Sequence, residues 1–141
     1  MTIAEAVTDA DILATRDVMR MLRPHVAADA YLGMVKEMMT KDGYRLVAAR
    51  DDTTVRAVAG FRYMTMLYCG KILYVDDLIT DDRTRSQGFG KAILDWLKRT
   101  AREAGCSQLH LDSGVHRKDA HRFYFRERLT IGGYHFSVEL D

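Results

Sequence analysis

Seven residues in the middle of the chain, Arg85-Ser86-Gln87-Gly88-Phe89-Gly90-Lys91, have the composition of an anion cradle. They lie between an apolar, strand-like run and an amphipathic helix. Two glycines let the backbone come close to a ligand, and a helix that starts here directs free N–H groups and its positive dipole end at whatever sits in the loop. Arg85 and Lys91 add full charges, so a phosphate or pyrophosphate suits the place. A plain glycine-rich connection into a helix would read the same over these positions, so the neighbours must decide. Just upstream, Ile72-Leu73-Tyr74-Val75-Asp76-Asp77-Leu78-Ile79-Thr80 is too apolar for an edge strand yet carries two carboxylates. Consecutive strand residues face opposite sides, so one aspartate must point at a buried layer unless the strand bulges or opens into a cleft. Such distortions gather beside active sites, whereas two solvated aspartates near a strand end would need none.

The elements around these residues follow from periodicity. Residues 2–7 suit a short first strand. Thr8 opens a helix with the capping pattern Thr8-x-x-Asp11 and an apolar series Ile12, Val18, Met19, Leu22, until Pro24 stops it. A second helix is expected from Asp29 to Thr40, with Gly43 as its terminator. Met19, Met21, Met34, Met38 and Met39 read as core side chains, although they would also suit an adaptable pocket. From Tyr44 the period becomes extended: strands over 44–50, 55–68 and 72–80, separated by the turns Asp51-Asp52-Thr53-Thr54 and Cys69-Gly70-Lys71. The helix after the cradle reaches Gly105, burying Phe89, Ile93, Trp96, Leu97 and Ala101. A strand over 107–112 follows, and the strand-helix-strand order makes the two flanking strands parallel. A last helix over 119–128 puts Ala120, Phe123 and Tyr124 on one face. The chain closes on an alternating strand with Tyr134, Phe136, Val138 and Leu140 on one side.

The totals set bounds. With 141 residues, one domain spanning 1–141 is expected, large enough for its own core. A net charge of +1 lacks the basic footprint of a nucleic-acid binder. Glu5, Asp9 and Asp11 interrupt any secretory leader, and no run approaches a membrane span, so a cytoplasmic protein is expected. Cys69 and Cys106 lack metal or redox spacing, and the five histidines are scattered, so no metal is expected.

Spacing excludes two familiar phosphate loops. A P-loop needs Gly-x-x-x-x-Gly-Lys-Ser/Thr, but Arg85 stands five before Gly90 and Ala92 follows Lys91. A dinucleotide fingerprint needs a tight turn and a third small residue, whereas Ile93 stands there after the long polar segment from Asp81 to Gln87. The chain instead resembles the GCN5-related N-acetyltransferases, the GNAT family, whose signature is Gln/Arg-x-x-Gly-x-Gly/Ala at a helix start. Arg85-x-x-Gly88-x-Gly90 matches every fixed position, Val75-x-x-Leu78-x-Thr80 matches the preceding strand, and Ala120-x-x-Phe123-Tyr124 the last helix. Two departures stand out: Arg117 replaces a frequent asparagine before that helix, and Arg128-Leu129 replaces a frequent Gly-Phe after it.

The resemblance implies an α/β (α+β) fold. A central mixed, mostly antiparallel sheet splays between two parallel strands, with helices on both faces. It implies acetyl-CoA as acyl donor, with backbone groups of Leu78, Ile79 and Thr80 on the pantetheine arm and the pyrophosphate on Arg85, Ser86, Gln87, Gly88, Phe89, Gly90 and Lys91. The implied activity is direct acetyl transfer to a primary amine, of a small molecule or a protein, through a tetrahedral intermediate. Asp77 is the first candidate for the base and Asp76 the second; Tyr124 matches the tyrosine that protonates the departing sulfur. A noncatalytic acyl-CoA-binding regulatory domain is the alternative. Clustered Asp76, Asp77 and Asp112 hint at a cationic acceptor. The edge from Tyr134 to Leu140 offers a surface for a homodimer.

Overall fold

The alternating runs form five strands: β1 (Thr2–Glu5), β2 (Arg45–Asp51), β3 (Thr54–Met66), β4 (Gly70–Thr80) and β5 (Gln108–Leu111). They make one sheet in the order β1-β2-β3-β4-β5. The first four are antiparallel neighbours, and β5 runs parallel to β4 after a crossover helix, as the strand-helix-strand order requires. The computed structural model describes residues Met1–Asp141, which divide into two compact units, Met1–His110 and Leu111–Asp141.

Within the first unit, the alternation of strand side chains sorts the core into two layers. Leu46, Ala48, Val58 and Ile79 join one cluster with α1 (Asp9–Ala14), α2 (Arg16–Leu22) and α3 (Tyr31–Asp42), through Ile12, Val18, Met19, Tyr31 and Val35. Residues of the opposite parity, including Val47, Ala57, Ala59 and Phe61, are buried as well. Their side of the sheet carries α4 (Phe89–Glu103): the Trp96 ring meets Phe61 edge-on at 5.9 Å, and Phe89, Ile93, Leu94 and Leu97 are buried. Phe61→Ala removes the ring on which this layer closes, and a cost of ~3–5 kcal/mol is expected in urea unfolding.

The sequence-predicted helix from Thr8 to Pro24 is two helices. Thr8 caps the first as expected, its hydroxyl accepting from the Asp11 N–H at 3.1 Å. The break falls at Thr15, which is fully buried. Its hydroxyl donates to the Ile12 carbonyl at 2.6 Å and shares a hydrogen bond with the Tyr31 phenol at 2.8 Å. A hydroxyl that bonds back to the preceding turn competes with the helix ladder, and here the α3 tyrosine locks it in place. Gly43 ends α3 in the left-handed region at φ 68°, as its position suggests.

In the second unit, α5 spans Lys118–Arg126. Its exit is a left-handed turn at Arg128, φ 68°, with the Arg128 N–H donating to the Phe125 carbonyl and the Leu129 N–H to that of Tyr124. Glycine suits this conformation best, so the chain adopts here, with an arginine, the backbone for which the family commonly uses glycine. The expected closing strand is a correction. Residues 130–141 form neither helix nor strand, and Tyr134, Phe136, Val138 and Leu140 are 81–91% exposed. A strand persists only where a neighbouring edge takes up its N–H and C=O groups, and no backbone hydrogen bond ties this tail to another segment.

Candidate active site

The two misplaced aspartates mark a bulge. Gly60 of β3 lies opposite Asp77 and Phe61 opposite Val75, so Asp76 is the extra residue. Asp77 thereby shares the face of Gly60, the one covered by α1 to α3, and Asp76 turns toward Arg62, two residues along from Gly60. The conflict raised by strand alternation is resolved by the insertion itself.

Both carboxylates are held. Asp76 accepts from Arg62 through both oxygens, at 3.0 and 2.6 Å. Burial pushes its pKa up, and the Arg62 guanidinium opposes that rise. Asp77 accepts from Arg23 Nε at 2.8 Å on one oxygen and from the Tyr44 hydroxyl at 2.8 Å on the other, with its side chain only 11% exposed. Arg23 also donates to the Asp76 carbonyl at 3.0 Å, so one guanidinium fixes the bulge backbone and its acid together. Burial, then the Asp77 charge, lift the Tyr44 pKa well above its usual value, which keeps its phenol a donor to Asp77. Gly60 leaves room for this arrangement: a Cβ there would overlap the Tyr44 ring and hydroxyl.

Arg23, Tyr44 and Arg62 are the partners of these carboxylates that sequence reasoning missed. Arg23 is 54 positions from Asp77 and Tyr44 is 33, and no local period joins them. The excess of carboxylate inside an apolar strand was the signal available, since buried charge requires a counter-charge.

Asp77 opens into a cavity of ≈ 520 Å³ walled by α2, the segment after it and α3, with Arg16, Arg20, Arg23, Tyr31 and Met38 among the lining residues. Met19 and Met34 also line it, so the methionine-rich helices serve core and cavity together.

The backbone around β4 is open where the GNAT resemblance implies an acyl donor. The Ser107 N–H donates to the Lys71 carbonyl at 2.8 Å, and from that start a parallel four-residue β5 reaches only to about Val75. The edge of Asp76–Thr80 that faces away from β3 therefore has no strand beside it. Beyond Thr80, the fully buried Asp81 accepts from Arg83 at 2.8 Å and from the Arg83 N–H at 3.0 Å. The Arg83 guanidinium holds the Asp81 carboxyl below its ordinary range. This pair fixes the descent into the cradle. Ser86 and Gly88 both have positive φ, 68° and 87°, and Gly88 is the N-cap of α4, which has no side-chain cap, so the first N–H groups of the helix are left free toward the loop. Arg85 and Lys91 pair with Asp82 at 2.7 Å and Asp95 at 2.9 Å on the surface. Exposed pairs of this kind hold their partners weakly. Arg85→Ala is accordingly expected to weaken CoA binding several-fold without abolishing it, as read by calorimetric titration.

A model of the Acetyltransferase (GNAT) family matches residues 14–129. The chain belongs to the GNAT family. It is 37% identical over 120 residues to the uncharacterized N-acetyltransferase YhdJ of Bacillus subtilis, covering 84% of each chain. It is 30% identical over 97 residues to the aminoalkylphosphonate N-acetyltransferase of Salmonella typhimurium, covering 69% of this chain and 62% of that one. Among solved structures, a putative acetyltransferase from Agrobacterium tumefaciens superposes with a TM-score of 0.84 at 17% identity, covering 99% of this chain and 100% of the other. The aminoglycoside N-acetyltransferase AAC(6')-Iy in complex with CoA superposes with a TM-score of 0.85 at 14% identity, covering 99% and 93%. The mixed five-stranded sheet with its flanking helices is thus the GNAT fold.

In this GNAT acetyltransferase, Tyr124 belongs to the second unit. Its side chain is buried on α5, with the Phe123 ring centroid 5.6 Å away. Burial raises its pKa, and Arg117, which hydrogen-bonds to it, pulls the other way. The arginine that departs from the family pattern therefore sits on the phenol that matches it. Asp112 lies 3.4 Å from His135 within the same unit and is half-exposed. No helix is long and apolar enough to cross a membrane.

Proposed function

We propose that the protein transfers an acetyl group from acetyl-CoA to a primary amine by direct attack, with Asp77 as base and Tyr124 as acid. The observation that carries this reading is the β4 bulge. It sets one clamped carboxylate at a cavity, on the strand that leads to an uncapped helix start. Bound acetyl-CoA supplies a thioester, at whose carbonyl carbon the C–N bond forms through a tetrahedral intermediate as the C–S bond breaks. The free edge of Leu78, Ile79 and Thr80 offers backbone groups to the pantetheine amides, and the N–H groups from Arg85 to Lys91 suit the pyrophosphate. An alkyl ammonium has a pKa of ~10.4, so at neutral pH the amine needs help to lose its proton; Asp77 takes it, directly or through water. A backbone N–H at the bulge meets the charge that develops on the carbonyl oxygen. Tyr124, protonated throughout the neutral range, gives the sulfur its proton.

The test follows release of CoA thiol colorimetrically while amines are presented with acetyl-CoA, with mass spectrometry of the products. Thiol release that depends on the amine and yields an acetylated amine is the expected outcome. Tight CoA binding with no amine-dependent release across a broad panel would overturn catalysis in favour of an acyl-CoA-binding regulatory domain.

A further inference from the structure

The wall of the cavity carries more positive charge than its partners use. Arg16, Arg20 and Arg23 line it against two carboxylates, Asp17 and Asp77. Arg23 is committed to Asp77 and to the Asp76 carbonyl. Asp17 is exposed and forms no ion pair with Arg16 or Arg20. That leaves two guanidinium groups. Arg16 makes a single long contact, 3.5 Å to the Ala28 carbonyl, and Arg20 makes no hydrogen bond or ion pair. They stand four residues apart on α2, hence on one face and one turn from each other, an arrangement in which like charges repel. Opposite them the wall is apolar, with Met34, Val35 and Met38 of α3.

Such a cavity has three chemical regions: a carboxylate that receives an amine, a short apolar wall, and a pair of uncommitted guanidiniums. Guanidinium forks bind planar or tetrahedral oxyanions bidentately, and two of them around one anion turn mutual repulsion into attraction. A volume of ≈ 520 Å³ lies within the range of small-molecule sites. We infer that the acceptor is a small primary amine bearing an organic acid group, carboxylate or phosphonate, which Arg16 and Arg20 bind while the amine lies at Asp77. The inference rests on the acyl-transfer reading for the amine and on the arginines alone for the acid group. The two aspartates of β4 do not make the cavity cationic-selective, because arginines already neutralise both.

Two arms of one experiment separate the parts. In the first, thiol release is measured with 2-aminoethylphosphonate, β-alanine and the neutral-tailed propylamine. At least a tenfold higher kcat/KM for an acid-bearing amine is expected, and the phosphonate and carboxylate compounds distinguish the two acid types. In Arg20→Gln that preference is expected to fall at least tenfold, mainly through KM for the acid-bearing amine, with partial recovery in Arg20→Lys. In the second arm, methylphosphonate and propionate, which have no amine, are titrated into the protein by calorimetry. Binding that is lost in the double substitution Arg16→Gln with Arg20→Gln supports the acid subsite even if no amine turns over, a result that would count against acyl transfer alone. Propylamine turning over as well as the acid-bearing amines, or acid probes binding equally to the double variant, would overturn the inference.

Discussion

Asp77→Asn lowers kcat/KM for amine acetylation by about 100-fold or more at neutral pH, within the span that a positioned acid or base usually contributes. The isosteric amide keeps the volume of the site and can still bond with Tyr44, but it takes no proton from an ammonium and removes the negative partner of Arg23. The two consequences differ in their pH dependence. Loss of the base is felt most where the acceptor is protonated, so the deficit shrinks as pH rises toward the amine pKa of ~10.4 and solvent supplies the free amine. A deficit caused only by a displaced Arg23 would stay constant with pH. Initial-rate profiles of both proteins, with unchanged acetyl-CoA affinity by calorimetry as the control for folding, separate them. Full activity of the variant at neutral pH would remove Asp77 from the mechanism.

Tyr124→Phe lowers kcat by about 100-fold while the dissociation constant for acetyl-CoA stays within a factor of two or so. The change deletes one hydroxyl and leaves a ring that fits the same buried position on α5. Because burial holds the Tyr124 pKa above its usual value, the phenol remains protonated through the whole practical range. The sign follows: activity of the wild-type protein has no alkaline limb from this group below about pH 10, the reference value for tyrosine. Equal turnover by the variant would return Tyr124 to a purely structural role, which its place beside Phe123 would also satisfy. A fall in kcat with an accompanying loss of acetyl-CoA binding would mean that packing, not proton donation, had been disturbed.

Much of this site was legible one segment at a time. The start of α4 announced itself by glycine spacing, Thr8 and Gly43 by their capping chemistry, and β4 by two acids in an apolar run. Each of these signals is local: a positive φ, an orphan N–H or a strand alternation involves residues within a few positions. What escaped was every partner brought from a distance. The acids at 76 and 77 stand out in the sequence, but their partners Arg62 and Arg23, 14 and 54 positions away, do not. The closing strand failed for the same reason in reverse. Tyr134 to Leu140 alternates as a strand should, but alternation specifies a face, whereas a strand also needs an edge.

The sequence by itself determined the family, the order of the strands from β1 to β5, the helix start after Gly88 and the presence of a distortion at Asp76 and Asp77. All of these follow from residue types at short spacing. Only the tertiary structure decided which residue is the bulge, that Asp77 rather than Asp76 reaches the cavity, and that Arg16 and Arg20 line that cavity without ion partners. Charge compensation acts through space, and the fold alone determines which charges meet.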